Sequence, residues 1–158
     1  MIRSILAFSL AATLAASASA QCVVSGVTTT DFGAGSGFLA PAALFVGADT
    51  ASCSLEWKLD APTCCNTFVS QHFLVFGTAV DPVGLPLGAP FYAGSNWHIG
   101  APLVALGPFP GTTGSAPIPP DPAFVGLALS SQAVLDYFTT IGLTHDFGVS
   151  QGVLVQFQ

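Results

Sequence analysis

Hydrophobic and polar positions alternate along much of this chain, and the alternation predicts strands. From Cys53 the pattern is clean: Cys53, Leu55, Trp57 and Leu59 share one face, while Ser54, Glu56, Lys58 and Asp60 share the other. A period of two with one wet face marks a half-buried antiparallel strand. Asp60-Ala61-Pro62 turns the chain. Thr67 to Phe76 then reads as a second strand, apolar on both faces and therefore central, and it is expected to pair with the first as a hairpin. Phe124 to Tyr137 repeats the alternation, with Val125, Leu127, Leu129, Ala133, Leu135 and Tyr137 opposite Gly126, Ala128, Ser130, Gln132 and Asp136. Apolar residues at alternate positions fit a helical period poorly. Gly148 to Phe157 closes the chain as another strand, and Cys22 to Thr30 and Ala43 to Val46 supply shorter ones.

Ten of the 12 prolines fall between Asp81 and Pro122. Proline removes a ladder donor, so long central strands are not expected there. Interspersed Leu, Phe, Val and Trp argue against a solvated tether, and the segment reads as ordered loops and edge strands, with short strands around Phe91-Tyr92 and Leu103 to Leu106. Gly33 to Gly37 is a flexible turn whose spacing is wrong for a dinucleotide fingerprint. Several short strands with turn signals between them predict an all-β fold, an antiparallel β-sandwich of jelly-roll or immunoglobulin-like type, with an open barrel as the alternative.

Residues 1–20 read as a secretory signal peptide, with Arg3 in the n-region, an apolar Ile5 to Ala16 stretch and Ala18-Ser19-Ala20 before the expected cleavage site. A membrane anchor is the weaker alternative, because the apolar run is shorter than the roughly 20 residues a bilayer core demands. No later segment is apolar for long enough to span a membrane. Residues 21–158 then form a single mature domain in a secreted, extracellular protein, at the cell surface or in a periplasm. Only 6% of the chain is charged and 51% is hydrophobic. Lys58 is the sole Lys or Arg of the mature domain, set against eight scattered Asp and Glu. That balance excludes phosphate-backbone recognition, so no nucleic-acid partner is expected.

An even count of four cysteines, Cys22, Cys53, Cys64 and Cys65, in an exported chain predicts two disulfides. A vicinal Cys64–Cys65 bond departs from ordinary disulfide geometry, so the favoured pairing sends Cys64 and Cys65 back, one to Cys22 and one to Cys53. A zinc site fails on spacing, since no C-x2-C pair exists.

Toward the C-terminus, Pro117-Ile118-Pro119-Pro120-Asp121-Pro122-Ala123-Phe124-Val125-Gly126-Leu127 leads to Gln132-Ala133-Val134-Leu135-Asp136 and then to Ser150-Gln151-Gly152-Val153-Leu154-Val155. This order resembles a family of uncharacterised bacterial secreted β-domains, in which a proline-rich "lPlPndPsLvGl" run precedes a strand ending near Q-A-x-x-x-D and a Ser-Asn-Gly turn opens the last strand. Gln151 stands where the family has Asn, a departure expected to affect turn chemistry alone. Phe91 to Ser95 matches an upstream element more weakly. The resemblance covers about 70 residues. It implies an exported β-sandwich and no activity.

Candidate chemistry is sparse. His145-Asp146 are neighbours on an extended segment and point to opposite faces, so they are not a preformed dyad. No G-x-S-x-G elbow, H-x-H or H-E-x-x-H spacing occurs. His72 lies in an apolar strand and reads as a hydrogen-bonded core residue, and Trp57 as core. Tyr92, Trp97 and His98, in the loop-rich middle, are the tentative ligand-binding residues, because exposed rings there could stack on sugar faces. No catalytic or metal-ligating residues are assigned and no cofactor is expected. Calcium could be held by loop carboxylates and carbonyls, but without a D-x-D-x-D run no ligands are chosen. The leading expectation is a non-enzymatic extracellular module, structural or adhesive, meeting a protein or polysaccharide surface. The alternatives are a carbohydrate-binding module using Tyr92 and Trp97 and a small hydrolase built around His98 or His145.

Overall fold

A computed structural model describes residues 22–158, so the expected leader lies outside the described residues. The chain folds as an antiparallel β-sandwich. Strands β1 (Val27–Phe32), β11 (Gly152–Phe157), β9 (Ala128–Thr139), β4 (Thr67–Gly77) and β7 (Pro102–Pro110) lie side by side in that order. Strand β10 (Thr144–Val149) also pairs with β9, beyond β11. A three-stranded sheet of β2 (Ala43–Asp49), β3 (Ser54–Asp60) and β8 (Thr113–Pro117) covers one face. The hairpin of β5 (Val80–Pro86) and β6 (Asn96–Ile99) lies against the other.

The predicted alternation of β3 is present residue by residue. Leu55, Trp57 and Leu59 are buried, and Glu56, Lys58 and Asp60 are exposed. The inward set meets Leu74, Phe76, Leu135, Tyr137 and Val155 of the large sheet in one core cluster. Each large apolar side chain so buried contributes about 1.5–3 kcal/mol. Strand β4 is central, as its two apolar faces predict, but it does not pair with β3. Its neighbours are β9 and β7, and β3 lies in the opposing sheet. The Asp60-Ala61-Pro62 turn therefore carries the chain between sheets instead of closing a hairpin.

Four further expectations are adjusted. Strand β9 begins at Ala128, because Pro122–Phe124 forms a 3-10 turn capped by the Asp121 carboxylate, which accepts from the Ala123 N–H at 2.9 Å. The closing strand is two strands, broken at Ser150-Gln151 and extended back to Thr144. Gln151 does more than shape a turn. Its side chain accepts from the Leu44 N–H at 2.8 Å and donates to the Leu44 carbonyl at 3.1 Å, tying the break to β2. The proline-rich segment contains a nine-residue strand, β7, and it is an edge strand of the kind proline tolerates.

The cysteines pair differently from expectation. Cys22 and Cys53 form a disulfide across a sequence separation of 31, and Cys64 and Cys65 are exposed free thiols. The physical reason is strand β3. Seven extended residues at about 3.3 Å each hold the Cys64-Cys65 loop roughly 20 Å from Cys53, far beyond the reach of a disulfide. The Cys22–Cys53 link adds about 2–4 kcal/mol by restricting the unfolded chain.

One polar contact joins the two sheets inside the core. The Trp57 Nε1–H donates to His72 Nε2 at 2.8 Å, and His72 Nδ1–H donates to the Gly111 carbonyl at 2.8 Å. His72 has no exposed surface, so its expected core role holds. Gly114 on β8 permits the approach, since a Cβ there would sit 2.5 Å from the Trp57 ring. Burial pushes the His72 imidazole below its usual range, against the opposing hydrogen bond to Gly111. The folded state then binds fewer protons than the unfolded state, so His72 stabilises the fold fully above about pH 6.5 and progressively less as pH falls below it. Urea unfolding between pH 8 and pH 5 is expected to show the midpoint falling below about pH 6.5. His72→Gln, whose amide offers the same acceptor and donor, is expected to flatten that slope. An unchanged slope in the variant would assign the titration to another group.

Candidate functional site

Because β3 alternates so strictly, fixing Trp57 inward fixes Glu56 and Lys58 outward. Strand register then assembles a polar face around them. Phe45, Lys58 and Thr113 stand side by side in one row of the β2–β3–β8 sheet, and Gly47, Glu56 and Ser115 in the next. These six residues line an open groove of about 660 Å³. Phe45 is 58% exposed, a large ring displayed on the sheet surface and, among the described residues, without an aromatic partner. A Cβ at Gly47 would touch nothing within 4 Å, so the space beside the Phe45 ring is open. Among the described residues, the side chains of Glu56, Lys58, Thr113 and Ser115 make no hydrogen bond or ion pair within the protein. One carboxylate, one ammonium and two hydroxyls therefore face solvent around a ring. Such a set can donate to and accept from a ligand while its own charges cancel.

The tentative binding residues Tyr92, Trp97 and His98 do not form this site or any exposed platform. Tyr92 is half-buried, packs edge-on to Tyr137 at 5.4 Å, and turns its hydroxyl inward without a partner. Burial, helped by the charge of Asp146, raises its pKa, and burial pushes Tyr137 up to about 12. Trp97 is half-buried on β6 opposite Leu85. His98 is 2% exposed and enclosed between Gly33 and Gly84. Its Nδ1–H donates to the Asp81 carbonyl at 2.9 Å and its backbone N–H to Gln132 Oε1 at 2.9 Å. The ring thus braces β6 against β5, and the backbone N–H ties the hairpin to the large sheet.

His145 is not paired with Asp146, in line with the opposite-face argument. It pairs instead with Asp136 across β9 and β10, Nδ1–H donating to Oδ1 at 2.7 Å. Gln71 donates to the other carboxylate oxygen at 3.1 Å, and Phe138 lies 4.9 Å from the imidazole. Asp136 is buried while His145 is exposed. The pair orients the ring, but among the described residues no hydroxyl or thiol hydrogen-bonds its other nitrogen. No group of three or more His, Cys, Asp or Glu able to hold a metal occurs among the described residues, and none of their helices is long and apolar enough to cross a membrane. A second hollow, of about 220 Å³, opens between the sheets and is lined by apolar residues including Phe76, Leu106, Ile118 and Phe157. It offers no polar side chain to orient a ligand.

No protein-family model matches this chain, and neither the curated proteins nor the solved structures provide a significant match. The face around Phe45 is not legible in the sequence, because Phe45 sits in a short apolar run, Ala42 to Val46, that gives no sign of which residue points outward. The register against Lys58 supplies that sign.

The Asp136–His145 arrangement yields a stability prediction. Asp136→Ala leaves the half-buried Gln71 amide without its partner and is expected to cost about 1–3 kcal/mol. His145→Ala, removing the exposed partner, is expected to cost less than about 1 kcal/mol. Urea denaturation of both variants measures the difference, and equal or reversed costs would contradict this account.

Proposed function

We propose that this chain is an exported, non-catalytic adhesive module that holds a neutral polysaccharide across the open β2–β3–β8 face. The observation that carries the reading is Phe45, an exposed ring flanked in strict register by unpartnered polar side chains. The C–H face of a pyranose is apolar and its rim is hydroxyl-rich, so a displayed ring with donors and acceptors beside it complements both. Charge favours a neutral chain. Glu56 and Lys58 cancel locally, and the remaining acids leave the protein with a formal net charge of −6, which repels acidic polymers. The leader-like residues 1–20 and the resemblance over Pro117 to Val155 support an extracellular setting.

Affinity electrophoresis in gels containing neutral β-glucan, xylan or mannan tests the reading. At least one polymer is expected to retard the protein. Phe45→Ala is expected to weaken that binding tenfold or more, about 1.4 kcal/mol, while thermal unfolding stays near that of the parent because the ring is exposed. Trp97→Ala is expected to leave binding unchanged. Loss of binding in Trp97→Ala with full binding in Phe45→Ala would move the site to the β5–β6 region. No retardation in any neutral polymer would remove the proposal.

A further inference from the structure

Cys64 and Cys65 occupy the loop between β3 and β4, exposed, with their sulfurs 2.9 Å apart. Neighbouring side chains on an extended chain point to opposite faces, so two adjacent sulfurs do not meet by default. They meet here because Cys65 has φ +61°, a left-handed conformation uncommon outside glycine and costing about 1–2 kcal/mol. The surrounding backbone fixes this loop. The Thr67 N–H donates to the Cys64 carbonyl at 3.1 Å, and the Asn66 carbonyl accepts from both the backbone N–H and the hydroxyl of Thr140 at 2.9 and 3.3 Å. Strain held in place by neighbouring hydrogen bonds, at a pair of reactive groups open to solvent, marks a chemically active position.

We infer that Cys64 and Cys65 form a vicinal dithiol site that takes a low-molecular-weight disulfide as its reaction partner and closes reversibly to a bond between the two residues. A disulfide is about 2.05 Å long, so closure asks the sulfurs to approach by less than about 1 Å. The reaction runs in two exchanges. A thiolate of the pair attacks a disulfide R–S–S–R, forming a protein–S–S–R bond and releasing R–S⁻. The second sulfur then attacks the protein sulfur of that bond, closing Cys64–Cys65 and releasing the second R–S⁻. The two protons lost by the cysteines end on the two released thiols, and two electrons pass from the pair to R–S–S–R. Contact with Cys65, followed by partial loss of hydration and the charge of Cys65, raises the Cys64 thiol above its ordinary range. Simultaneous loss of both protons is thereby opposed, which suits a stepwise exchange. The half-buried Cys22–Cys53 bond lies at the far end of β3 and takes no part.

This inference is independent of the polysaccharide-binding reading. Folded protein, first reduced mildly so that only Cys64 and Cys65 are thiols, is incubated with oxidised glutathione, quenched in acid, alkylated and measured by intact and peptide mass. The expected product has lost two hydrogen masses within the peptide containing both residues, carries no glutathione, and takes up no alkylating agent there. Mild dithiothreitol is expected to restore two alkylation sites. Cys64→Ser is expected to retain one stable glutathione on Cys65, because the resolving sulfur is gone. Persistent glutathione on the parent protein, or two alkylations after oxidation, would overturn the inference. So would release of glutathione from the Cys64→Ser variant at the parent rate.

Discussion

The contact between Trp57 and His72 is the constraint on which the rest of this structure depends. Sandwich cores are usually joined by apolar packing alone, and a buried imidazole would be costly without partners at both nitrogens. Here each nitrogen has one. Trp57 comes from the small sheet, His72 from the large one, and Gly111 from the turn that feeds β8. The link thus sets the position of three elements at once, and Phe109 packs on the indole at 4.9 Å to close the space around it. Because β3 is strictly alternating, the same indole determines where Glu56 and Lys58 stand on the opposite surface. Internal polar chemistry and the candidate binding face are two sides of one strand.

A domain with one cation cannot organise itself by ion pairs, and among the described residues the sole one is His145 with Asp136. Neutral side chains take over the task. Gln132 has no exposed surface and holds β6 through the His98 N–H and the Asn96 carbonyl while also donating to Ser150. Gln151 reaches β2 through both polar groups of Leu44. Such contacts are worth about 1 kcal/mol net each, but leaving any of their buried groups unpaired costs more, which makes them selective for this arrangement. An Asn at 151 would be one methylene shorter than this bridge requires.

Much of the architecture is legible in the residues. The alternation from Ser54 to Asp60 fixes both faces of β3, and the two-sided apolar character of Thr67 to Phe76 fixes β4 as central. The partner of each strand is not legible, because pairing is a long-range choice that local periodicity does not encode. That is why β3 and β4 read as a hairpin and fold into opposing sheets. The cysteine pairing is legible in principle, since the β3 strand between Cys53 and Cys64 holds them too far apart for a bond. Tyr92, Trp97 and His98 read as an exposed cluster because proline-rich sequence usually lies on the surface. The β5–β6 hairpin instead seats His98 on Gln132, and Gly84 of β5 together with Gly33, just past β1, leaves room for the imidazole. The ring that is displayed, Phe45, carries no local mark of exposure.

The central claim is that the sheet surface opposite Trp57 is where this protein meets its ligand. Titrating isotopically labelled protein with a soluble neutral oligosaccharide, and following amide and methyl resonances, tests it most directly. The account predicts that perturbed signals cluster on Phe45 to Gly47, Glu56 to Lys58 and Thr113 to Ser115, with those of Trp97, His98 and His145 unmoved. Perturbations centred on the β5–β6 hairpin or on the Asp136–His145 pair, with the β2–β3–β8 signals unchanged, would contradict it.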